Sequence, residues 1–357
     1  MKTHRNIPNI ASLISHTSVS TDISKSLLVL SMITLIVPVL PGCNKIMHPQ
    51  DGDFTEPISK ASVKLAVHNT DLARIHHIDA LVFNDDPLQR LDCFQHLDTF
   101  SDKEVPLGSC SGNKKVLLCA NSCRGIDQWR QCSSLAQAKD LKVNLEDENR
   151  NYPVMVSQFD IVAGNKADII MERLSSTVEL RSICCDFSGK PYKGEKITEA
   201  KVYLININAT CSLMPSDDET IERVINHGGL IDQDMETFKD KNLILQSIND
   251  IGIDTVHPDC KFPCYPNTTS EETVGSPLTR LVIEGKIMGE TWYWSIDINR
   301  ENGNEPGGIE RNRRYIFDIT ITSKGTKDPN ICVSREMVQT LFEIKTWKEK
   351  EEYHIAF

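Results

Sequence analysis

The chain has 357 residues, of which 39% are hydrophobic and 25% are charged, and this length is enough for two domains with separate cores. Its 50 acidic residues outnumber its 39 basic residues and give a formal net charge of −11. Because an acidic surface repels a phosphate backbone, we expect no nucleic-acid partner.

The N-terminal region has the pattern of an export signal. Residues 27–40 form an apolar run that is too short for an ordinary membrane span. Residues 40–43, Leu-Pro-Gly-Cys, follow it and look like a bacterial lipobox, in which Cys43 would be diacylated and become the mature N-terminus. We therefore predict a lipoprotein signal peptide over residues 1–42, with stable anchoring by two acyl chains. An ordinary secretory signal followed by a chance cysteine is the alternative.

Twelve cysteines are many for a cytosolic chain and are compatible with an exported one. If Cys43 carries lipid, eleven remain, so at least one thiol is free or pairs between molecules. The spacing of the cysteines leaves their connectivity open.

An alternating segment follows a polar tether over residues 43–57. Residues 61–68 have the pattern of a half-buried strand. The residues that share its apolar face are Val63, Leu65 and Val67. A polar break containing Arg74 ends this strand, and residues 75–83 begin the next one.

The rest of the first half is predicted to contain strands and one short helix. Residues 116–121 start with a continuous apolar run of the kind that a core strand needs. Residues 126–141 carry helix formers with interspersed apolar residues, and we expect the only helix of the protein there. Further strand-like segments occur up to residue 183, and we place a domain boundary near residue 170.

The second half repeats this pattern of short strands around a long polar stretch over residues 216–258. Near its end a run alternates, and the large residues on one face are Tyr315, Phe317, Ile319 and Ile321. Turns at Lys324-Gly325 and Asp328-Pro329 interrupt the chain before a last β-like segment, Val338 to Trp347. An apolar strand placed after the last strand of a domain needs a surface to bind.

No catalytic motif is found. The chain has no Gly-x-Ser-x-Gly, no Gly-rich phosphate loop before a helix and no His-Glu-x-x-His. We therefore expect neither an enzyme nor a cofactor.

Two weaker patterns in the sequence could indicate a metal site or a sugar site. His257, Cys260 and Cys264 could supply part of a zinc site, but their spacing is loose, and a disulfide or unpaired thiols fit an exported protein better. The aromatic residues at 292–294 could form a platform for a sugar ring, but two of the three share a face, which favours core packing. We predict no metal site.

The C-terminal region resembles a known family. The resemblance is carried by Ile309-Glu310-Arg311-Asn312-x-x-Tyr315, the alternating strand after it, Gly325-Thr326-x-x-Pro329 and a late tryptophan. Tyr265-Pro266-Asn267 and residues 279–285 add to it. These features are similar to those of the major fimbrial subunits (fimbrillins) of the Bacteroidales, which build type V pili. The resemblance spans about residues 60–357 and is most specific from Tyr265 onward.

The resemblance implies an all-β protein of two tandem transthyretin-like β-sandwiches with one short helix and a C-terminal donor strand. After the signal peptide, the expected segments are a tether and N-terminal strand (43–74), an N-terminal sandwich (75–170), a C-terminal sandwich (171–333) and the donor strand (334–357).

The family also implies a mode of assembly. An Arg-specific or trypsin-like protease would cut after Arg74, the strand with Val63, Leu65 and Val67 would leave, and the C-terminal segment of another subunit would fill the opened groove by β-strand addition. The donor residues would be Val338, Phe342, Ile344 and Trp347. Burying each side chain contributes about 1.5–3 kcal/mol before ordering costs.

The expected partners are therefore other fimbrial subunits, the outer membrane through the lipid anchor before processing, and the protease. A stalk subunit of a cell-surface fimbrium that supports adhesion is the first hypothesis. A tip or accessory adhesin, favoured by the cysteine count, and a monomeric glycan-binding surface lipoprotein are the alternatives.

Overall fold

The computed structural model describes residues 60–63, 75–98, 105–167, 169–214, 221–269, 277–300, 307–334 and 336–346. All of them belong to one unit, Thr55–Phe357. Strands predominate in this part of the chain, together with three short α-helices. The all-β prediction is confirmed.

The strands of the N-terminal half, in chain order, are β1 (Lys60–Val63), β2 (Ile78–Asn84), β3 (Leu91–Leu97), β4 (Val105–Gly108), β5 (Asn113–Ala120), β6 (Lys142–Asn144), β7 (Met155–Val162) and β8 (Glu172–Arg173). Five of them form an antiparallel sheet in the order β3-β2-β5-β7-β8. β1 pairs with β4 in a separate two-stranded sheet.

The inner strand β2, which lies between β3 and β5, is buried on both faces because its side chains alternate between two cores. Leu81 and Phe83 point into a large cluster that also contains residues of the C-terminal half. Ile78, Ala80 and Val82 point into a second, smaller cluster on the opposite face of the sheet. The N-terminal sheet therefore needs cover on both sides.

The single predicted helix at 126–141 is instead two helices, α1 (Ile126–Arg130) and α2 (Leu135–Lys139). The break between them is fixed by β3, since the amide of Leu91 donates to the carbonyl of Ser133 at 3.0 Å. Ser134 then caps α2 by accepting a hydrogen bond from the amide of Gln137 at 3.3 Å.

A third helix, α3 (Asp232–Thr237), lies in the polar stretch for which no helix was predicted. None of its residues is buried, so it has no apolar periodicity to reveal it. Local polar contacts help to hold it, because Asp234 Oδ2 accepts from the amide of Asn226 at 2.7 Å. The expectation of one helix was therefore wrong in number, while the fold class stands.

The C-terminal half is a sandwich of two four-stranded sheets. Its strands are β9 (Ser176–Cys185), β10 (Thr198–Ile205), β11 (Ile207–Asn208), β12 (Thr210–Ser212), β13 (Val224–Ile225), β14 (Leu245–Ser247), β15 (Cys260–Cys264), β16 (Arg280–Ile287), β17 (Glu290–Asp297), β18 (Arg313–Ile321) and β19 (Val338–Thr346). The sheet orders are β14-β10-β16-β17 and β15-β9-β18-β19. All ladders in both sheets are antiparallel except the one between β9 and β18.

The alternating run of the sequence forms β18, and its four predicted inward residues are all buried: Tyr315, Phe317, Ile319 and Ile321. They pack in one cluster with Val202 of β10 and Ile283 of β16 from the other sheet. The apolar faces of the two sheets thus form a common core, as expected for a sandwich.

The chain passes from the N-terminal sheet to the C-terminal sandwich between Arg173, the end of β8, and Ser176, the start of β9. The predicted boundary at residue 170 lies just before this crossing. The halves are also joined further along the chain, because β6 pairs with β12. Within the described residues, no helix is both long enough and apolar enough to cross a membrane.

Candidate strand-exchange site

The N-terminal strand β1 pairs antiparallel with β4, with Lys60 opposite Gly108 and Val63 opposite Val105. β4 is in turn fixed to the edge strand β3, since the amide of Gly108 donates to Gln95 Oε1 at 2.8 Å. A short ribbon at the start of the described chain is thus attached beside the five-stranded sheet.

The smaller apolar cluster lies where β4 meets this sheet. Leu107 of β4 is 2% exposed and is the residue through which β4 enters the cluster. The sheet supplies buried side chains from three adjacent strands: Ile78, Ala80, Val82, Val116, Leu118, Ala120 and Met155. Half-buried Phe159 and Ile161 extend the same face along β7. A change in the β1–β4 ribbon would therefore alter the cover of an apolar surface.

The C-terminal strand β19 forms the edge of its sheet and pairs with β18 through nine residue pairs, from Ile321↔Val338 to Arg313↔Thr346. Its inner face packs on β18, with the ring of Phe342 at 4.8 Å from the ring of Phe317, centroid to centroid. Burial falls along the strand, because Val338 is 4% exposed whereas Ile344 is 44% exposed. The far half of β19 is therefore weakly covered.

Charged side chains join β19 to the interior of the sheet on the outer face. Arg181 of β9 donates to Asp318 of β18 through Nε at 3.0 Å and to Glu343 of β19 through Nη1 at 3.1 Å. The hydrogen bond from Arg181 lowers the pKa of Asp318. Burial opposes such a change at Glu343, but hydrogen bonds from Lys345 and Arg181 outweigh it and lower the pKa of that carboxyl as well. Both carboxylates are therefore ionised at neutral pH.

Some of the predicted site residues lie in the part of the chain that the structure describes, and others lie outside it. Val338, Phe342 and Ile344 lie on the inner side of β19, paired with β18 of their own chain. Val63 is the last residue of β1. The predicted positions outside the described residues are Cys43, Leu65, Val67, Arg74 and Trp347. The roles assigned to all of these residues stay predictions.

A polar cleft of about 540 Å³ lies at the junction of the two halves. Glu148 and Arg173 are its most deeply buried charged residues, at 7% and 4% exposure. The hydroxyl of Tyr265 donates to Glu148 Oε1 at 3.2 Å, and burial raises the pKa of Glu148 to about 7. Sequence reasoning missed this joint, because Glu148 lies in a polar stretch with no pattern that indicates burial.

The remaining candidate residues are the cysteines, His257 and the aromatic residues at 292–294. Nine of the cysteines are free thiols: Cys93, Cys119, Cys123, Cys132, Cys184, Cys185, Cys260, Cys264 and Cys332. His257 Nδ1 lies 3.3 Å from the carbonyl oxygen of Arg181, and no group of three or more potential metal ligands occurs in the part of the chain that the structure describes. Among the three aromatic residues, Trp294 is fully buried and donates from Nε1 to the carbonyl of Ser323 at 2.9 Å, whereas Trp292 is half-buried.

No protein-family model and no curated protein matches the sequence. Solved structures match the fold over most of their length. A fimbrilin from Porphyromonas gingivalis W83 has 12% identity and a TM-score of 0.57, and the match covers 81% of this chain and 98% of that one.

Two further matches are described as putative cell adhesion proteins. The structure from Parabacteroides distasonis ATCC 8503 has 14% identity and a TM-score of 0.60, with 83% of this chain and 99% of that chain covered. The structure from Bacteroides eggerthii DSM 20697 has 12% identity and a TM-score of 0.61, with 81% and 96% covered. At such identities the likeness concerns the fold.

Proposed function

We propose that this chain, which has the fold of the fimbrillins, is a structural subunit of a cell-surface fimbrium that supports adhesion. In this proposal it is exported as a lipoprotein through Cys43, processed after Arg74 by an Arg-specific or trypsin-like protease, and assembled by donor-strand exchange. One observation carries the proposal: at the start of the described residues a short strand pairs with β4, which borders an apolar sheet face, and at their end lies an edge strand with an apolar face.

The acceptor side is the N-terminal sheet. β1 is joined to the rest of the protein only through β4 among the described strands, and by four residue pairs. Cleavage after Arg74 would separate β1 from β2 and let the strand dissociate. The edge of β4 that β1 leaves would then be unpaired, beside the apolar cluster that Leu107 enters, and an exposed edge of this kind is a template for another strand.

The donor side is β19 with the residues after it. Leaving β18 would break nine residue pairs, which a new ladder on a neighbour would replace. The cost is lowest at the far end of the strand, where Ile344 is 44% exposed, compared with 4% for Val338 at the near end. Strand release would therefore start at Thr346 and proceed toward Val338, the best-buried residue of β19.

Donor and acceptor are different surfaces on the same chain, so each joint is head-to-tail. Such contacts do not close into a symmetric dimer and instead extend into a filament. A tip subunit would fit the same scheme. It would accept the donor strand of its neighbour, and its own donor strand would have no partner.

The experiment compares assembly of the full chain with a chain that lacks residues 334–357. After treatment with trypsin, the full chain is expected to form polymers that resist dilution, and the truncated chain is expected to remain monomeric. Addition of the truncated chain should also stop growth of the full chain, because it accepts a strand but donates none. Unchanged polymerisation without residues 334–357 would contradict the proposal.

Processing is tested at the proposed cut. Arg74→Ala should block both cleavage and assembly, whereas Arg74→Lys should remain cleavable by trypsin and be resistant to an Arg-specific protease. Cleavage first at another site, with assembly intact in Arg74→Ala, would place the processing elsewhere.

A further inference from the structure

Two lysine ammonium groups lie against a pair of aromatic rings on the C-terminal half. Lys327 Nζ is 3.5 Å from the centroid of the Trp292 ring, and Lys324 Nζ is 5.0 Å from it. Lys324 Nζ is also 5.2 Å from the centroid of the Tyr192 ring. Trp292 comes from β17, Tyr192 from the turns between β9 and β10, and the lysines from the segment after β18.

The backbone that carries the lysines is held in place. The amide of Lys324 donates to the hydroxyl of Tyr192 at 3.1 Å, and Thr326 pairs with Tyr293 of β17 in both directions, at 2.8 and 3.0 Å. The Tyr192 ring rests edge-on against buried Phe187, with a centroid distance of 5.1 Å. The aromatic rings and the lysine backbone are therefore preorganised, and Lys327 Nζ is placed beside the Trp292 ring by the hydrogen bond that it donates to the carbonyl of Thr291 at 2.9 Å.

The charges around the two lysines differ. Lys327 Nζ is 3.5 Å from Glu290 Oε2, but both side chains are well exposed, so the pair is weak. Lys324 has no acidic side chain within ion-pair distance among the residues that the structure describes. On a chain with a net charge of −11, these two ammonium groups thus place positive charge beside an aromatic surface.

The indole N–H of Trp292 supports the same location. It is buried and has no acceptor in the described part of the chain. Because a buried donor without an acceptor is costly, an oxygen atom brought to this place would be favourable. Trp294, two residues later on the same strand, instead donates its N–H to a carbonyl oxygen.

We propose that Trp292, Tyr192, Lys324 and Lys327 form a binding site for an acidic polysaccharide. The C–H face of a pyranose stacks on the aromatic rings, and its carboxylate or sulfate group pairs with the two ammonium groups, which exchange their contact with the rings for an ion pair. The proposal deepens the adhesion role proposed above and rests on it for its biological purpose, but the binding itself needs only a folded, unprocessed chain.

The cleft at the junction of the halves is the rival location. It is larger, but its basic side chains already have acidic neighbours, as with Arg314 and Glu179 at 2.6 Å and Lys261 and Asp259. It also presents no aromatic ring on which a sugar could stack. We therefore favour the aromatic site.

The experiment is isothermal titration calorimetry on the full chain before processing, at physiological salt, with polygalacturonic acid, dextran sulfate and neutral dextran. Binding of at least one acidic polymer and none of the neutral one is expected. The polymer that binds identifies carboxylate or sulfate as the recognised group. Absence of binding to both acidic polymers, or equal binding of neutral dextran, overturns the proposal.

Three double variants locate the site. Lys324→Ala with Lys327→Ala should weaken binding at least about tenfold, and Lys324→Arg with Lys327→Arg should retain it within about threefold, because arginine keeps both the charge and the stacking. The matched control, Lys261→Ala with Lys286→Ala, removes the same charge, includes the lysine of the junction cleft, and should bind as the wild type does. Equal loss in the control, or retention in the alanine pair, overturns the proposal.

These results are separable from those on assembly. Loss of polymerisation in the chain without residues 334–357 leaves the calorimetric binding intact if this site exists. Absence of binding leaves the assembly experiment unaffected.

Discussion

The hydroxyl of Tyr265 donates a hydrogen bond to Oε1 of Glu148 at 3.2 Å, and this contact joins the loop before β7 to the segment after β15. Both residues are buried, so a carboxyl group lies inside the joint between the two halves. Burial raises the pKa of Glu148 from its ordinary value of 4.5 to about 7.

This pKa predicts a pH dependence of stability. Between pH 4.5 and about 7 the folded protein holds a proton on Glu148 that the unfolded chain has released, so the free energy of unfolding falls as the pH rises through this interval. Glu148→Gln removes this dependence. Between pH 5 and pH 8, the free energy of unfolding of the wild type should therefore fall by roughly 1–3 kcal/mol more than that of Glu148→Gln. Urea unfolding of both proteins at the two pH values measures it. A constant difference between them at both pH values would contradict the prediction.

The inner face of β19 gives a second prediction. Phe342→Ala removes the contact with Phe317 and should lower the free energy of unfolding by about 1–3 kcal/mol. Its control is the adjacent Leu341→Ala, which changes a side chain that is 74% exposed and should stay within about 0.5 kcal/mol of the wild type. Hydrogen exchange should also quicken over residues 338–346 in Phe342→Ala. Equal effects of the two substitutions would mean that the inner face does not hold the strand.

The ion pair between Arg181 and Glu343 on the outer face of the sheet should contribute little to the free energy of unfolding. Arg181 and Glu343 are 46% and 41% exposed at their side chains, so solvent screens the attraction between them. Glu343→Gln is expected to lower the free energy of unfolding by at most about 1 kcal/mol at low salt and by no measurable amount at 1 M salt. A double-mutant cycle with Arg181→Ala isolates the pair, and a coupling energy that persists at high salt would refute this account.

Gly325 gives a fourth prediction, because the segment after β18 approaches β17 closely there. A Cβ at Gly325 would lie 2.7 Å from the carbonyl carbon of Tyr293, which belongs to the backbone and cannot move aside. Gly325→Ala should therefore destabilise the protein by roughly 1–3 kcal/mol or more and detach the Thr326–Tyr293 pairing. Gly108→Ala, where a Cβ would meet only Cys93 Sγ at 4.0 Å, is the control and should be nearly neutral. Thermal unfolding of both variants measures the difference.

Local patterns of apolar residues, alternating or continuous, were sufficient to find individual strands. The four inward residues of β18 are buried as the period of two predicts, and residues 116–120 form the buried part of β5. Such patterns depend only on which side chains face the core, so they survive without knowledge of the partners.

Pairing between distant strands could not be obtained in this way. No property of residues 105–108 indicates that they pair with β1, and nothing in β9 shows that its neighbour is β18. A strand is present at Val338–Thr346, within the predicted β-like segment, but it belongs to the C-terminal sheet of its own chain, and alternation alone cannot show that pairing. Partner choice depends on tertiary packing, which a single sequence does not display.

The parallel ladder between β9 and β18 has a consequence for the order of folding. Ser176 at the start of β9 accepts a hydrogen bond from the amide of Arg313, 137 residues later. The central pair of this sheet therefore forms only after a very long loop closes, which slows folding. During that delay the flank of β9 that later pairs with β18 is open, so a chaperone that shields it would be of most use before residue 321 has been synthesised.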